Sequence, residues 1–426
     1  MGGKNAQHIG SSYDESVNGS TVSAGNGVTL AAGQNGGGNL SVLGSNVTAD
    51  KGGIALVSTG DINIGSVSET HDSQSWSHQN SSGFLANTET TDTANAHAVY
   101  ANGSTISGDT VMGVAGRDMT ISGSTVAATN DVALSAGHDL TIDTTQDKSQ
   151  SSSFHQETKT GMGASGTAIS YGTHDQKDTS NDASVRNNAS LIGSTDGSVH
   201  LSAGNDLHVT GSDLIAAKDM IGTGANVTID AATDTSHHDE THETKQSGVS
   251  LGVKGGLVDM IQSAADQADA SGKSEDSRAS TLHSIAAAGS LAAAGESMAS
   301  GKPDVKVELS FGSSHSKDTF TEDTTTQRGS NVQAGGTAMF AATGSDTPGS
   351  GNVTIAGSNV NATDVVLAAK NQVNLVNTTD TDSTRSTNES SSSSVGVSYG
   401  TQGWGVRTTN PASSWVCCLW EWFKRA

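Results

Sequence analysis

The sequence predicts an all-β fold: a parallel β-helix, or solenoid, from which β-hairpin arms protrude. Three observations in its 426 residues predict it. A short signature, acid or amide then apolar, polar, apolar, recurs as DINI at 61–64, DMTI at 118–121, DLTI at 139–142 and DLHV at 206–209, then as NVTI at 226–229 and 352–355 and QVNL at 372–375. Copies within a block lie 20 or 21 residues apart, as Met119 and Leu140, Leu207 and Val227, or Val353 and Val373 do, and a second alternating pair stands eight residues ahead, as Val132/Leu134 stand before Leu140. Composition supplies the third: 52 Gly against 3 Pro.

Each observation has a physical reason. Period-two alternation in four-residue bursts, punctuated by Gly, Asn and Asp, is the pattern of short strands and not of helices. A unit of about 20 residues cannot close a core alone, but stacked copies can, each strand pairing in parallel with its copy ~4.8 Å above. Glycine serves the corners, where a Cβ would hinder the chain. Proline is scarce because every inner strand must donate its N–H groups to the ladder.

The elements follow in order. Residues 1–19 are a polar N-terminal segment. Repeat-bearing blocks lie near 20–65, 100–143, 189–233 and 329–376 within an interrupted β-helix of 20–376, and imply roughly nine rungs and about 40 Å of rod. Ser, Thr, Asp, Glu and His dominate the interruptions near 66–99, 144–188 and 234–328, and the stretch 377–410, which are read as hairpin arms and a terminal arm. Gly-flanked strands mark them: Ile169/Tyr171, Val249/Leu251/Val253 and Val395/Val397/Tyr399, with Val307/Leu309/Phe311 pairing against 249–253 as the second leg of one long hairpin. Between those legs, 257–301 is Ala-rich with helical spacing (Leu257, Ile261, Ala264, Ala268; Leu282, Ile285, Gly289, Ala292) and predicts a small helical insertion of two helices. The tail 411–426 holds three of the five Trp and both Cys, an abrupt shift read as out-of-frame translation, with a Trp/Lys membrane-interface anchor as the alternative.

Charge and cysteine exclude several classes. A net charge of −23 without a basic run opposes nucleic-acid binding. Adjacent Cys417 and Cys418 allow neither a disulfide framework nor a zinc site within the chain. No apolar run approaches the ~18 residues of a membrane helix, and the first ten residues lack the apolar stretch of a signal peptide. Taken alone the chain reads as cytoplasmic; as a piece of a longer protein it need not be.

The rungs carry a likeness. Gly-Ser-x-Val stands at 44–47, 123–126, 329–332 and 357–360, with AGRD, AGHD and AGND turns between strand pairs. The set resembles the haemagglutinin repeats of filamentous haemagglutinins and of contact-dependent growth-inhibition effectors exported by two-partner secretion, over residues 20–410. The alternation of rungs with polar arms, one tipped by Ala-rich helices after Asp276 and Arg278, resembles the second, C-terminal repeat region of those effectors. The resemblance implies a right-handed β-helix, secreted or cell-surface as part of a longer protein, with an outer-membrane partner transporter and a target-cell receptor or outer membrane as partners. It implies an immunity protein only where a toxin domain follows. The family's secretion domain, pretoxin motif and toxin module have no counterpart in these residues.

Candidate chemistry is sparse. His238, Glu240 and His242 share one face if 237–243 is a strand, the weak candidate for a metal site beside the reading of a solvated hairpin stem. GMGASG at 161–166 has the GxGxxG spacing, but a strand follows where a dinucleotide site needs a helix. Gly272-Lys273-Ser274 lacks the upstream Gly of a phosphate loop, and the Asn-x-Ser/Thr sequons within strands are read as chance. The turn acids Asp118, Asp139 and Asp206 are expected to cap neighbouring N–H groups, with a stacked calcium ladder as the alternative. The arm strands either face lipid or pair with the neighbouring arm. No catalytic residue and no cofactor is assigned. The sequence therefore reads as an internal stalk or adhesion segment of a secreted haemagglutinin-like exoprotein of the toxin-delivering branch. The alternatives are an adhesin segment without toxin, a remnant gene product, or a polysaccharide-active β-helix enzyme, for which Arg117 is the basic group at the rung positions.

Overall fold

A computed structural model describes residues 3–33, 36–83, 85–165, 168–254, 306–400 and 403–408. The helical insertion expected at 257–301 and the tail 411–426 lie outside the described residues. Three parallel sheets of eight strands each form the rod, and a fourth, antiparallel sheet of nine strands is built from the arms.

Among the described residues the rod has eight rungs where the sequence spacing suggested roughly nine: 21–43, 46–65, 105–122, 125–143, 191–210, 213–230, 331–356 and 359–376. Each block of the sequence holds two rungs, and the first and seventh are lengthened by loops before their third strands, so dividing block length by 20 overcounts. Rung 4 is typical: strands Thr125–Ala128, Val132–Ala136 and Leu140–Asp143 alternate buried with partly exposed side chains. The expected register holds, with Met119 opposite Leu140, Leu207 opposite Val227, and Val353 opposite Val373.

Inward residues stack in columns. Ile64, Ile121, Ile142, Val209 and Ile229 are completely buried, and burying one such side chain is worth roughly 1.5–3 kcal/mol. Columns balance large against small residues. Phe340 lies directly opposite Gly222, whose position would put a Cβ 2.5 Å from the ring. Glycine there makes the room that the one large ring needs.

A serine stands immediately before the first strand of every rung, and so closes each corner between the third strand of one rung and the first of the next. Ser20, Ser45, Ser104, Ser124, Ser190, Ser212, Ser330 and Ser358 form an unbroken ladder, the N–H of each of the first seven donating to the next hydroxyl at 3.0–3.3 Å. Where the chain runs straight on, the hydroxyl donates to the carbonyl two residues back, as Ser124 does to Ser122 at 2.9 Å. Where an arm intervenes it donates to the carbonyl at which the arm departed. Ser104 bonds Gly65 at 2.7 Å, Ser190 bonds Asp143 at 2.6 Å and Ser330 bonds Asp230 at 2.8 Å, across 39, 47 and 100 residues. The corner is thus closed through space, and what is inserted does not alter it. At the four uninterrupted corners the residue before the serine is Gly44, Gly123, Gly211 or Gly357, with φ of 52–56°. That left-handed turn suits glycine.

An arm follows every second rung. Arm 1 has legs Val67–Ser82 and Ala86–Asn102; arm 2, Thr145–Ser165 and Ala168–Asn188; arm 3, Ala232–Lys254 and Lys306–Arg328; arm 4, Thr381–Gly400 and Gly403–Thr408. Gly3–Asp14, within the polar segment, is a further strand of the same sheet and pairs with the outgoing leg of arm 1. Each returning leg pairs with the next outgoing leg, so the arms form one sheet in sequence order and not separate hairpins. Two strands per arm against two rungs per block explains the spacing: both sheets advance by ~4.8 Å per strand, so the arms keep pace with the rod.

Candidate interaction surface of the arm sheet

At or just before the start of each outgoing leg stands an acid, five residues beyond the second apolar residue of the third strand before it: Glu69, Asp147, Asp234 and Asp380 after Ile64, Ile142, Ile229 and Leu375. Each accepts an N–H from the preceding strand of the sheet or its end, from Val17 at 2.6 Å, Ala101 at 2.7 Å, Asn187 at 2.7 Å and Gln327 at 2.6 Å. These clasps join neighbouring arms at their bases. The recurring spacing was visible in the sequence, but its meaning needs the pairing of different arms.

Residues equally far from the rung end lie in one row across the sheet. One row reads Ser77, Asp92, His155, Asp178, His242, Asp318, Asn388 over seven strands. Ser77 donates to Asp92 at 3.1 Å, Nδ1 of His155 lies 2.6 Å from the other Asp92 oxygen, His242 bonds Asp178, and Asn388 bonds Asp318. The neighbouring row, on the opposite face, holds Lys177, Glu243, Lys317 and Glu389. A sheet polar on both faces specifies register weakly, and alternating charges directly opposite one another supply that specification.

The sequence candidates sit in this stem. His238, Glu240 and His242 share a face on the outgoing leg of arm 3, in alternate rows. Nδ1 of His238 is 2.6 Å from Asp182, and its Nε2 is 4.0 Å from Glu240. Each histidine faces a different aspartate on arm 2. The His238 hydrogen bond holds the Asp182 carboxyl below its ordinary range, and Asp182 in turn raises the histidine. Asp323 and then Asp239 raise His237, and the bond from His155 lowers Asp92.

On the rod, the three side chains close enough to share one ion among the described residues are Asp118, His138 and Asp139. Both carboxylates are occupied as turn caps: Asp118 accepts the N–H of Asp139 at 3.1 Å, and Asp139 that of Asp206 at 3.0 Å. Arg117 bonds Asp61 at 2.6 Å. The 161–166 glycine run begins in the outgoing leg of arm 2, and the strand Ala168–Asn188 follows it.

Beyond a row of Gly161, Gly172, Gly248 and Gly312 the sheet changes character. On one face three successive rows are apolar: Met162, Tyr171, Val249, Phe311 and Val395; Ile169, Leu251, Leu309, Val397 and Val406; Val307, Tyr399 and Trp404. Ile169, Tyr171, Leu251, Leu309, Phe311, Tyr399 and Trp404 are each half or more exposed. The other face is chiefly Ser and Gly, with Glu308 and Arg407, and has a groove of about 640 Å³ along the glycine row, lined by Ser170, Gly172, Gln246, Gly248, Ser310 and Gly312 among others. The expected pairing of 249–253 with 307–311 is present, Val249 opposite Phe311 and Leu251 opposite Leu309.

A family model described as hemagglutinin repeat matches residues 2–162, 87–249, 169–307 and 309–412. The chain belongs to the hemagglutinin-repeat family. Each match begins within three residues of the start of Gly3–Asp14 or of a returning leg, so the repeating unit is a returning leg, two rungs and an outgoing leg. The chain is 45% identical over 92% of its length to a protein named tRNA nuclease CdiA-2 from Burkholderia pseudomallei strain 1026b, covering 13% of that protein. It is 33% identical over 81% of its length to a 16S rRNA endonuclease CdiA from Enterobacter cloacae, covering 11%, and 33% identical over 69% to a deoxyribonuclease CdiA from Yersinia pseudotuberculosis, covering 28%. The chain thus spans from about a tenth to less than a third of these relatives. No solved structure matches it.

Proposed function

We propose that this chain is a stalk segment of a secreted toxin-delivery exoprotein of the contact-dependent growth-inhibition kind, and that the apolar tip of its arm sheet makes the contact with the target envelope. The observation that carries the reading is the identity of 45% maintained over 92% of the chain. The relatives carry three different nuclease names, for tRNA, 16S rRNA and DNA, yet each matches 69% or more of this chain. What the matched segment contributes is therefore common to all three: presentation and transfer, not cleavage. Export through an outer-membrane partner transporter belongs to the same reading, and an immunity protein would answer to the toxin region of such an exoprotein. The apolar rows span at most five residues of a strand, as in Val307–Phe311 and Val395–Tyr399, about half the 9–11 residues of a crossing strand, so the tip dips into an apolar phase and does not span it.

The experiment is a chimera in which this chain replaces the matched segment of a relative, with secretion and target-cell inhibition read separately. Inhibition retained, and lost with Leu251→Ser/Leu309→Ser at unchanged secretion, is the expected result. Unchanged inhibition with that double variant would remove the tip from the account. A secreted chimera that never inhibits would remove delivery.

A further inference from the structure

The three outer faces of the rod differ in kind. On the sheet of second strands the outward positions form two rows across all eight rungs, in register with Met112 and with Val114. Eleven of these sixteen positions are Ala, Val, Ile or Met, among them Val57, Met112, Val114, Ile221, Met339 and Val366, and none is Asp, Glu, Lys or Arg. Met112 is 46% and Val114 38% exposed, in rung 3, well inside the rod. The outward rows of the first strands are chiefly Thr, Ser and Asn, as at Thr105, Thr125 and Asn331. Those of the third strands are alike, as at Asn63, Thr120 and Thr228.

Topology sets this face apart. Arms leave after a third strand and return before a first, so they spring from the corner those two sheets share. The sheet of second strands is the side of the rod away from them. Rungs stack along the axis through their strand edges, so further rungs above or below would leave this side as it is. Contiguous apolar surface of more than a few hundred Å² marks a contact site, and depletion of charge with enrichment in Met is the composition of an interface core.

We propose that a second copy of this chain covers this face, the two sheets of second strands packing ~10 Å apart with the rods parallel and each rung beside its own copy. Charge selects that occupant. Two chains of −23 repel, and this rod face lets them meet without burying like charges. Area suffices as well. Eight strands of about five residues make a face of about 34 by 17 Å, so a pair buries on the order of 1,200 Å², the lower bound of a stable specific interface. The rims set the orientation. A two-fold axis along the rod lays the rim before each second strand beside the partner's rim after it. In three rungs these rims carry opposite charges: Asp109 and Arg117 in rung 3, Asp364 and Lys370 in rung 8, and Lys51 and Asp61, with the signs reversed, in rung 2. Such exposed pairs add little affinity but fix register. Both arm sheets then point away from the contact.

Sedimentation velocity of the full chain with Cys417→Ser and Cys418→Ser, at about 0.1 mM protein, should show a dimer. Met112→Lys with Ile221→Lys should halve the mass. Thr120→Lys with Thr228→Lys makes the same charge change on the third strands of the same two rungs and should leave the dimer intact. Each of these side chains points outward, and circular dichroism matching the parent shows that both variants have folded. Adding Ala55→Cys to the parent should give a covalent dimer with a short bis-maleimide, because parallel rods set rung 2 beside rung 2. A monomeric parent, a dimer that survives Met112→Lys with Ile221→Lys, or a dimer that Ala55→Cys does not cross-link would overturn the proposal. So would dissociation by Leu251→Ser with Leu309→Ser, or by removal of residues 411–426, which would make the arm tips or the tail the contact.

Discussion

The rod and the arm sheet share a strand spacing and almost nothing else. Rod strands are three to six residues long, parallel, and alternate into an apolar interior of Ile, Val, Leu and Ala. Full-length arm legs run to 23 residues, pair antiparallel, and present Ser, Thr, Asp and His on both faces of the stem. Burial fixes the rod's register, because a one-residue slip would turn every apolar side chain outward. Opposed charges and clasps fix that of the arms. A solenoid can therefore carry a large polar surface without weakening its core, provided the insertion returns to the same corner and advances at the same pitch.

The largest effect should come from the rod. Phe340→Ala removes a fully buried ring and should cost about 3–5 kcal/mol, read as a lowered denaturation midpoint. Next is the corner. Ser190→Ala leaves buried acceptors and the Ser124 N–H without the hydroxyl, a loss of about 1–3 kcal/mol. Hydrogen exchange should quicken at the base of arm 2 and in rung 5 before it does at arm tips. If arm tips quicken first, the serine does not close the corner. Asp234→Ala opens one clasp between arms 2 and 3 and should cost about 1–2 kcal/mol, confined to those bases.

Effects within the polar stem should be smaller. Asp178→Ala breaks the His155–Asp178–His242 row and should cost no more than about 1 kcal/mol, seen as faster exchange along arms 2 and 3 with the rod midpoint unchanged. Acidity offers the mildest probe. His237 and His238 are raised, so their contribution is complete below about 6.5 and fades as pH climbs through their raised values. Asp92, Asp182 and Asp239 are lowered, so theirs holds above about 4 and is lost as pH falls through their lowered values. Corrected for intrinsic rates, amide protection in the stem should therefore be higher near pH 6 than near pH 8.5, while that of Leu140 and Ile142 stays constant.

The rod was legible because its information is local. Met119 and Leu140 announce their pairing through a repeat spacing, and the AGRD and AGHD turns announce the caps that Asp118 and Asp139 provide. Leu251 against Leu309 was legible as well, since Gly-flanked apolar strands mark their own ends. The Asp92 to Asn388 row was not, because residues from four arms must first be set in register. Once Leu251 is opposite Leu309, counting back nine positions places His242 opposite Asp318, so the signal was present but second-order. The serine ladder hid in plain Gly-Ser pairs, since nothing in a serine tells a solvated hydroxyl from one that bridges 100 residues.

The central claim is that arms and rod advance together. Spin labels at Ser73→Cys and Thr384→Cys sit in one row of the arm sheet, and labels at Asn63→Cys and Asn374→Cys in one column of the rod, each pair six strands apart. With Cys417 and Cys418 replaced by Ser, dipolar distance measurement should give a narrow distribution near 29 Å for both pairs, six spacings of ~4.8 Å. A narrow rod distance beside a broad or much longer arm distance would mean that the arms move as separate hairpins, and would contradict the account.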